Sequence, residues 1–478
     1  MGRKNKNNKI RILFCGENAH DVTGSCTYIE TPYHKILLEL GMWQTCGSKL
    51  DAWKVNSRKF AFKAKDVEYI FVPHLHLDHA GLIPLAVARG FSGQIVMPHK
   101  SKAIAEILWK DSTHIIECDA EELSRKLGRE YLPYYTGTDV EASLNKVREY
   151  APGEIIEVDE YLKFRFVPSG HIVGACQLEL WLSDGVVTKK ILYTSDLGNT
   201  HIQKDYVYPF EPVESANIVI GESTYSGEER IATDKTRKKD IEKLVSSITQ
   251  TCIDERGRVL IPSFAIDRTQ TIMTVLYDCF HNDKTFNIPI LIDSPMARSV
   301  CEAYSKVLSG NELRKWNRVK SWDRFVYVGD YLDSKHFREE VHSPCVVIAS
   351  SGFLVGGRAV AWCSEMLPNK NDRIITVGYA PPGSIAYTIK NETQKTITIA
   401  GRKRSNKCQI TNLTSFSSHM QRDSLLDYYS SISCEKIYLV HGEMDKKIAF
   451  SSELENKISE KNKTTRVVCV NKGTEIIL

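Results

Sequence analysis

The sequence predicts an α/β protein with two domains, a layered sandwich and a second domain built on a mainly parallel sheet. In the first half, short β-rich runs alternate with loops at the spacing of hairpins. From about Thr233, strand-like runs alternate with helical segments, which is typical of a parallel sheet covered by helices. Strand-like runs return near Thr396.

Each element of the first half follows from a local pattern. Strands are predicted over eight short runs, Ile10–Phe14, Cys26–Glu30, Ile36–Leu40, Tyr69–Val72, Ile155–Val158, Leu162–Val167, Cys176–Leu182 and Ile191–Thr194. Helices are predicted over Gly81–Arg89 and Lys102–Lys110. Helices lying on a sheet of hairpin-spaced strands indicate a layered α/β sandwich.

The second half begins with alternating helices and strands. Helices are predicted over Lys239–Cys252 and Asp267–Phe280. The strands predicted among and after them are Val259–Pro262, Ile288–Ile292, Val346–Ala349, Ile374–Val377, Thr396–Ala400, Lys407–Leu413 and Lys436–Val440.

The composition is that of an ordinary globular protein. The 478 residues suffice for two or three domains, and 42% hydrophobic with 26% charged residues excludes an intrinsically disordered chain. The 63 basic and 59 acidic residues leave a net charge of only +4. A nucleic-acid partner must therefore be argued from a site rather than from overall charge.

The cysteines and the N-terminus predict a cytoplasmic location without a membrane partner. The 13 cysteines are scattered singly and form no Cys-x-x-Cys motif, as expected of small buried side chains in a reducing compartment. The apolar run Ile12–Cys15 is too short for a signal peptide, and no stretch approaches the ~20 apolar residues of a membrane span.

The most informative residues form the run His-Leu-His-Leu-Asp-His at positions 74–79, directly after a predicted strand. Alternation places His74 and His76 on one side of an extended segment, and Asp78 and His79 begin the turn that follows. Neutral imidazoles and a carboxylate are the ligands that zinc prefers. The alternative, a loop of solvated histidines, is disfavoured because burying so many unpaired ionisable groups is costly.

Three more candidate ligands follow other predicted strands. His171, Asp196 and His441 each lie just past a strand-like run. Each alone is more often structural, but loops at one edge of a sheet converge in space. The shared placement therefore predicts one metal centre.

Here the sequence resembles a known family. The run at 74–79 is the signature of the metallo-β-lactamase superfamily, and further segments resemble its β-CASP nucleases. Those segments are residues 22–25 (VTGS), 221–225 (GESTY), 261–265 (IPSFA), 293–296 (DSPM), 351–353 (SGF) and 416–419 (FSSH). The resemblance runs from about residue 10 to the C-terminus. It implies a four-layer αββα sandwich with an inserted α/β β-CASP domain of mainly parallel sheet.

The resemblance also implies a set of ligands for each of two zinc ions, with manganese as the alternative metal. His74, His76 and His171 would hold one ion. The other would be held by Asp78, His79 and His441, with Asp196 bridging the pair. A bridging carboxylate leaves room for a water that two cations convert to hydroxide, the expected nucleophile.

Three residues are expected to act in catalysis: Asp78 at the metal centre, His419 and Glu222. In the family, the histidine matching His419 lies near the scissile phosphate, beside the acidic residue matching Glu222. A carboxylate beside an imidazole fixes its tautomer and suits it to act as a general acid. The alternative is a structural histidine. Within the family, a histidine at the position of His441 marks the branch that cuts RNA.

Substrate contacts are expected from small residues in turns. Backbone N–H groups and serine hydroxyls cradle phosphates without large positive charge. The candidates are Ser350, Ser351, Gly352, Gly383, Ser384 and Tyr225. The alternative for the turns is ordinary turn chemistry. Basic runs at 235–239 and 402–407 could line an RNA path, with a solvated surface as the alternative.

Two positions depart from the family pattern. Glu39 stands where the family usually has Asp, which keeps the charge but adds one methylene to a residue that supports the metal-binding loops. Met420 and Gln421 follow His419, where the family usually has Ala-Asp. Neither departure removes a metal ligand.

The metal ligands on both sides of the second domain predict a nested arrangement. Residues 1–226 and 393–478 would form the metallo-β-lactamase domain, and residues 227–392 the inserted β-CASP domain. The expected function is a metal-dependent ribonuclease that hydrolyses RNA phosphodiester bonds in RNA processing or decay. Single-stranded RNA is the expected substrate, and a homodimer is compatible with the sequence. The alternatives are a DNA nuclease or other phosphodiesterase, and a non-catalytic RNA-binding subunit.

Overall fold

The fold is described from a computed structural model of the chain. It describes residues 9–202, 204–227, 233–391, 394–461 and 463–478. The chain divides into two compact units. The first unit comprises Met1–Gln203, Val207–Arg230 and His419–Leu478, and the second comprises Lys204–Tyr206 and Ile231–Ser418, in each case as far as the residues are described.

The first unit begins with a mixed sheet. Its strands are β1 Arg11–Phe14, β2 Thr27–Glu30, β3 Lys35–Leu38, β4 Tyr69–Phe71, β5 Gln94–Pro98 and β6 Val147–Tyr150. Strands β1 to β3 pair antiparallel, and β3 to β6 pair parallel. The helices between them are α1 Lys49–Ser57, α2 Leu77–Ala80, α3 Ile83–Ala88, α4 Lys102–Leu127 and α5 Gly137–Lys146.

A second sheet of the same unit continues the chain. Its strands are β7 Ile155–Glu157, β8 Leu162–Pro168, β9 Cys176–Ser183, β10 Thr188–Tyr193 and β11 Ile218–Glu222. Strands β7 to β10 form an antiparallel meander, whereas β10 and β11 are parallel.

The chain then forms the second unit on a six-stranded sheet. Its elements in chain order are α6 Asp234–Thr249, β12 Val259–Pro262, α7 Arg268–Phe280, β13 Ile290–Asp293, α8 Pro295–Val307, α9 Gly310–Lys320, β14 Phe325–Tyr327, α10 Tyr331–Glu339, β15 Val346–Ala349, α11 Gly357–Met366, β16 Arg373–Val377, α12 Ile385–Lys390, β17 Thr396–Ile399, β18 Arg402–Ser405 and β19 Gln409–Leu413. The sheet has the order β14-β13-β15-β12-β16-β19 and every pairing in it is parallel, while β17 and β18 form a separate hairpin.

The C-terminal segment returns to the first unit and completes both of its sheets. Its elements are α13 Arg422–Ser431, β20 Lys436–Val440, α14 Met444–Glu460, β21 Arg466–Cys469 and β22 Glu475–Ile477. Strands β20 and β21 extend the second sheet beside β11, and β22 pairs with β1 in the first. Each sheet then has seven strands.

The two sheets of the first unit face each other across one apolar core. Ile12 and Phe71 from the first sheet are buried together with Phe164 and Leu180 from the second. The rings of Phe71 and Phe164 meet edge to face, with centroids 5.0 Å apart. Helices α13 and α14 cover the outer face of the second sheet, and α5 packs against β5 of the first. The predicted αββα sandwich and the mainly parallel second domain are confirmed.

The second unit extends further along the chain than the sequence analysis placed it. The predicted boundary lay at residues 392 and 393, which are outside the described residues, whereas the second unit continues to Ser418. The reason is β19, which pairs in parallel with β16 and so belongs to the six-stranded sheet. The run at 407–413, from which a return to the sandwich was expected, contains the edge strand of the six-stranded sheet.

Several elements were missing from the sequence analysis or longer than it predicted. Strands β5, β6 and β11 were not predicted, although all three belong to the sandwich sheets. Helix α4 continues 17 residues past its predicted end at Lys110, from residue 111 to Leu127, because charged residues interrupt its apolar face without breaking the helix. Its C-terminus is set by Gly128, whose φ of 65° closes the last turn.

The basic run at 402–407 includes strand β18 of the hairpin. Arg404 in this strand pairs with Glu365 at 2.7 Å and donates to the hydroxyl of Ser364. All 13 cysteines are free thiols. Among the described residues, none of the helices combines the length and the apolar character that a bilayer crossing requires.

His34 ties together turns from both sheets of the sandwich. Its Nδ1 lies 2.8 Å from a carboxylate oxygen of Glu68, and its Nε2 lies 2.8 Å from one of Asp159. Burial lowers the pKa of His34, but these two carboxylates raise it by more, so the net shift is upward. A raised pKa in the folded state means that the protonated ring stabilises the fold below its ordinary pKa of about 6.5. This contribution is lost as the pH rises through the raised value.

We expect His34→Gln to lower the urea midpoint of unfolding more at pH 6 than at pH 9. His114→Gln, which replaces an exposed histidine on α4, is the control and should change the midpoint equally little at both values. An equal decrease in the urea midpoint of His34→Gln at the two pH values would contradict a stabilising role of the protonated His34 ring.

Candidate metal centre

The candidate ligands lie in four loops at the carboxyl ends of strands of the first unit. Residues 74–79 follow β4, His171 follows β8, Asp196 follows β10 and His441 follows β20. The two sheets face each other, so these strand ends meet at one edge of the sandwich. The strand placement that sequence reasoning used is the one observed.

The first group of ligand atoms contains three histidines and an aspartate. His74, His76, His171 and Asp196 each offer an atom within 4.8 Å of the others. His171 Nε2 lies 3.3 Å from His76 Nδ1, and Oδ2 of Asp196 lies 3.4 Å from His74 Nε2 and 3.5 Å from His171 Nε2. Distances of this size leave room for a metal ion with ligand bonds near 2 Å.

The second group contains Asp78, His79 and His441. His441 Nε2 lies 3.0 Å from His79 Nε2 and 3.3 Å from Oδ2 of Asp78. The other oxygen of Asp196, Oδ1, lies 3.5 Å from His79 Nε2 and 3.8 Å from His441 Nδ1. Asp196 therefore presents one carboxylate oxygen to each group.

The donor chemistry of the two groups fits divalent metal ions. His74 Nε2 and Asp196 Oδ1 are buried and form no hydrogen bond to the residues that the structure describes. Buried polar atoms are almost always bonded, so a cluster that leaves such atoms facing one another calls for a cation. Imidazole nitrogen with carboxylate oxygen is a donor set typical of zinc.

The protonation states differ between the groups. Burial, with His74 nearby, lowers the pKa of His76 to about 3, and burial also lowers the pKa of His171. Burial lowers the pKa of His79 as well, but Asp196, Glu39 and Asp78 raise it by more, so its net shift is upward. His76 and His171 thus present neutral imidazoles to a metal, whereas His79 lies where a positive charge is favoured, which a metal would supply in place of a proton.

Glu39 is the anchor of the ligand cluster. It lies directly after β3, is fully buried, and accepts hydrogen bonds of 2.6 Å from three groups: His79 Nδ1, the Tyr193 hydroxyl and the Ser195 hydroxyl. Burial raises the pKa of Glu39, but His79 and His74 lower it by more, so it is held as a carboxylate. The added methylene that marks this position as a departure is accommodated, and the carboxylate reaches both groups of ligands.

His441 is oriented by a hydroxyl in a comparable way. Its Nδ1 lies 2.7 Å from Oγ1 of Thr224, two residues past β11. When Nδ1–H donates to this hydroxyl, Nε2 keeps its lone pair toward the second ligand group. The backbone N–H of His441 also donates to the carbonyl of Asn18, which fixes the loop.

Glu222 and His419, the two residues predicted to act as a catalytic pair, lie beside Asp196 of the first ligand group. His419 Nδ1 is 3.7 Å from Oε1 of Glu222 and 3.8 Å from Oδ2 of Asp196, both beyond hydrogen-bond length. Both oxygens of Glu222 accept backbone N–H groups, from Leu197 at 2.9 Å and from Thr224 at 3.0 Å. The carboxylate therefore joins the Asp196 loop to the end of β11 and also faces the imidazole.

The surroundings of His419 hold it in place. A β-bridge pairs it with Gly198, and Met420 donates to the carbonyl of Leu197. The Tyr225 ring meets the His419 ring edge to face, with centroids 5.5 Å apart. Gln421, the second departure from the family pattern, precedes α13 as its N-cap residue without a side-chain cap.

The other predicted substrate residues lie in the second unit. Ser350 shares a 2.9 Å hydrogen bond with Ser294, and Ser351 donates to the carbonyl of Gly356. The Ser384 hydroxyl caps α12 by accepting from Tyr387, which is ordinary turn chemistry. Gly352 packs against Phe264, and Gly383 adopts a φ of 86° in open space. Their roles in binding substrate remain predictions.

Two family models match the chain. A Beta-Casp domain matches residues 269–389, and a Zn-dependent metallo-hydrolase RNA specificity domain matches residues 406–468. The chain thus contains a β-CASP domain, and its metal-ligand loops and sandwich resemble those of the metallo-β-lactamase β-CASP nucleases, as the sequence predicted.

The chain is similar to proteins from archaea, bacteria and animals. A transcription termination factor FttA of Methanocaldococcus jannaschii is 28% identical over 92% of this chain and 68% of its own. Ribonuclease TTHA0252 of Thermus thermophilus is 27% identical over 93% and 96%. Cleavage and polyadenylation specificity factor 73 of Drosophila melanogaster is 26% identical over 94% and 62%. A solved structure of a protein of unknown function from Enterococcus faecalis shares the fold, with a TM-score of 0.54 at 12% identity over 98% of this chain and 100% of that chain.

Sequence reasoning missed the residues that orient the ligands. Tyr193, Ser195 and Thr224 touch the ligands or Glu39 and were not singled out for this role. Their signal was present but weak: each lies one to three residues from an acidic residue of the site, Asp196 or Glu222. Hydroxyl groups are common in loops, so this spacing alone does not distinguish a residue that orients a metal ligand from one exposed at the surface.

Gly198 lets two ligand loops approach closely. A Cβ at this position would lie 2.0 Å from the carbonyl of Gly170 and 2.6 Å from the backbone nitrogen of His171. Any side chain here would push the His171 loop away from the Asp196 loop.

We expect Gly198→Ala to destabilise the protein by about 1–3 kcal/mol, the usual cost of overpacking, and to lower the zinc retained after dialysis. Gly137→Ala is the matched control, because a Cβ there meets nothing within 4 Å. Urea unfolding and metal analysis of both variants measure the effect. Zinc retention in Gly198→Ala equal to that of the control would contradict the close-packed loops.

Proposed function

We propose that this protein is a zinc-dependent ribonuclease that hydrolyses RNA phosphodiester bonds with two metal ions per chain. The observation that carries the proposal is Asp196, whose two carboxylate oxygens face two separate ligand groups. A shared anion between two cations is the arrangement of two-metal phosphodiester hydrolysis. The ligand groups provide a site for a divalent metal ion, and the number of two ions is part of the proposal.

The chain's own residues would divide the work as follows. His74, His76 and His171 hold one ion, Asp78, His79 and His441 hold the other, and Asp196 contacts both. When bound, the ions would lower the pKa of a water molecule and neutralise charge on the phosphate. Glu39, Ser195 and Thr224 keep the imidazoles aligned, so little reorganisation is needed during the reaction.

His419 is proposed to protonate the leaving oxygen. Its Nδ1 faces Glu222 and Asp196 at 3.7 and 3.8 Å, so Nε2 is the nitrogen available to give the proton. Tyr225, at the edge of the same ring, is proposed to contact the substrate.

RNA is the proposed substrate for three reasons. The matched C-terminal family model is described as an RNA specificity domain. The relatives include a protein named ribonuclease and another named endoribonuclease, from Thermus thermophilus and Candida glabrata. His441 fills the position that the family resemblance associates with RNA cutting. We further propose that the RNA is single-stranded and that the protein acts in RNA processing in the cytoplasm. The proposed oligomeric state is a homodimer.

We expect His76→Ala and Asp78→Asn to abolish metal-dependent cleavage of single-stranded RNA by the purified protein, because each removes a ligand. His114→Ala, at an exposed helical position outside the ligand loops, should cleave like the wild type. Undiminished cleavage by either ligand variant would contradict the proposal. Faster turnover of matched DNA than of RNA would favour the DNA nuclease instead.

End-labelled RNAs carrying a 5′-phosphate or a 5′-triphosphate should separate the two modes of cleavage. Internal fragments from both substrates identify an endonuclease, and mononucleotides from the 5′-phosphate substrate alone identify a 5′-exonuclease. RNA that stays intact while still bound to the metal-loaded protein would indicate the non-catalytic RNA-binding subunit.

A further inference from the structure

We propose that Ser195 is a positioning residue that aligns the metal ligand His74 by linking it to the buried carboxylate of Glu39. The inference rests on the proposed two-metal function, because it assigns a role toward one of the two ions. Ser195 precedes Asp196, and its hydroxyl contacts the buried carboxylate of Glu39.

The contacts of Ser195 are specific and short. Its Oγ lies 2.8 Å from His74 Nδ1 and 2.6 Å from Oε1 of Glu39. His74 and Glu39 are fully buried, and Ser195 is 4% exposed. The direct distance from His74 Nδ1 to Glu39 Oε1 is 3.6 Å, too long for a hydrogen bond. The serine hydroxyl therefore joins two groups that do not join directly.

The proton positions follow from the chemistry of the three groups. The Ser195 hydroxyl donates to Oε1 of Glu39, whose other oxygen accepts from His79 and Tyr193. The serine oxygen is then free to accept from Nδ1–H of His74. This arrangement selects the tautomer of His74 whose Nε2 carries the lone pair, and Nε2 is the atom 3.4 Å from Asp196 in the first ligand group.

The backbone supports a dedicated role for this side chain. Ser195 has a φ of 49°, in the left-handed region that glycine adopts more easily than any residue with a Cβ. A serine held there carries a conformational cost that glycine does not. Glycine would avoid this cost, so the hydroxyl link to His74 and Glu39 is the gain that accounts for a serine at this position.

The carboxylate of Glu39 therefore supports both ligand groups, one directly and one through Ser195. Glu39 Oε2 accepts directly from His79, a ligand of the second group, and Oε1 reaches His74 of the first group only through Ser195. Loss of the serine hydroxyl should therefore lower the affinity for the ion at the first group and leave the affinity at the second group unchanged.

The test uses Ser195→Gly, which removes the hydroxyl and keeps a backbone suited to positive φ. Metal-stripped protein is titrated with zinc against a chromophoric chelator, and urea unfolding of the same metal-free protein reports stability. We expect zinc affinity at one of the two sites to fall about 10- to 100-fold, as for other residues that orient a metal ligand. The other site should be unchanged, and the unfolding midpoint of the metal-free variant should not fall.

Arg256→Gly provides the matched control. Arg256 also has a positive φ, of 57°, and is exposed in the second unit, so its replacement removes a side chain from a left-handed position without touching a metal ligand. It should bind both ions with wild-type affinity. A double variant of Ser195→Gly with Glu39→Gln should lose little more at the first site than Glu39→Gln alone, because the two residues act in one chain of hydrogen bonds.

Two results overturn the inference in different ways. Wild-type affinity at both sites in Ser195→Gly contradicts the role of Ser195 and leaves the proposed function intact. Wild-type protein that binds fewer than two zinc ions contradicts the proposed function, and this inference fails with it.

Discussion

The first unit depends on one constraint, the burial of many ionisable side chains at a single edge of a β-sandwich. Five imidazoles and three carboxylates converge where strands from both sheets end, and the carboxylates include Glu39, which is completely buried. Groups of this kind cannot be removed from water unless they are bonded or paired with opposite charge. The architecture around the site supplies that compensation from inside, and divalent cations would supply the rest.

The internal part of the compensation is organised around Glu39. Three donors surround its carboxylate, and each comes from a different element: His79 from α2, Tyr193 from the end of β10 and Ser195 from the loop that follows β10. The carboxylate thereby connects both sheets, because it follows β3 of one and contacts β10 of the other. Asp196 has the complementary task on the open side, where its two oxygens face the two ligand groups. Support and ligation are thus carried by two different carboxylates.

The fold was largely predictable because its signals are local. Short apolar runs marked most strands of the sandwich, and regular alternation marked the parallel sheet of the second unit. The compact second unit ends later than the predicted inserted domain, because β19 has the same strand-like composition as the sandwich strands. Only its pairing with β16, a contact between distant parts of the sequence, assigns it to the other sheet. Helix α4 was underestimated for the opposite reason, since its charged residues obscured a continuous buried face.

The candidate site was predictable to the extent that its chemistry is carried by rare residues. Histidines after strands are uncommon enough for four loops to stand out, and the structure brings all seven predicted ligands to one place. Their supports are serine, threonine and tyrosine, whose functions depend on where the backbone directs one hydroxyl. The positive φ of Ser195 and the reach of Glu39 across the core exist only in three dimensions. This is why the ligands could be named from sequence and their alignment could not.

The most direct test of the account is anomalous diffraction at the zinc edge from crystals of zinc-loaded protein. The account predicts two peaks, one among His74, His76, His171 and Asp196, and the other among Asp78, His79, His441 and Asp196. A single peak, or a pair in which Asp196 contacts only one ion, would contradict the shared-carboxylate site on which the proposed chemistry rests.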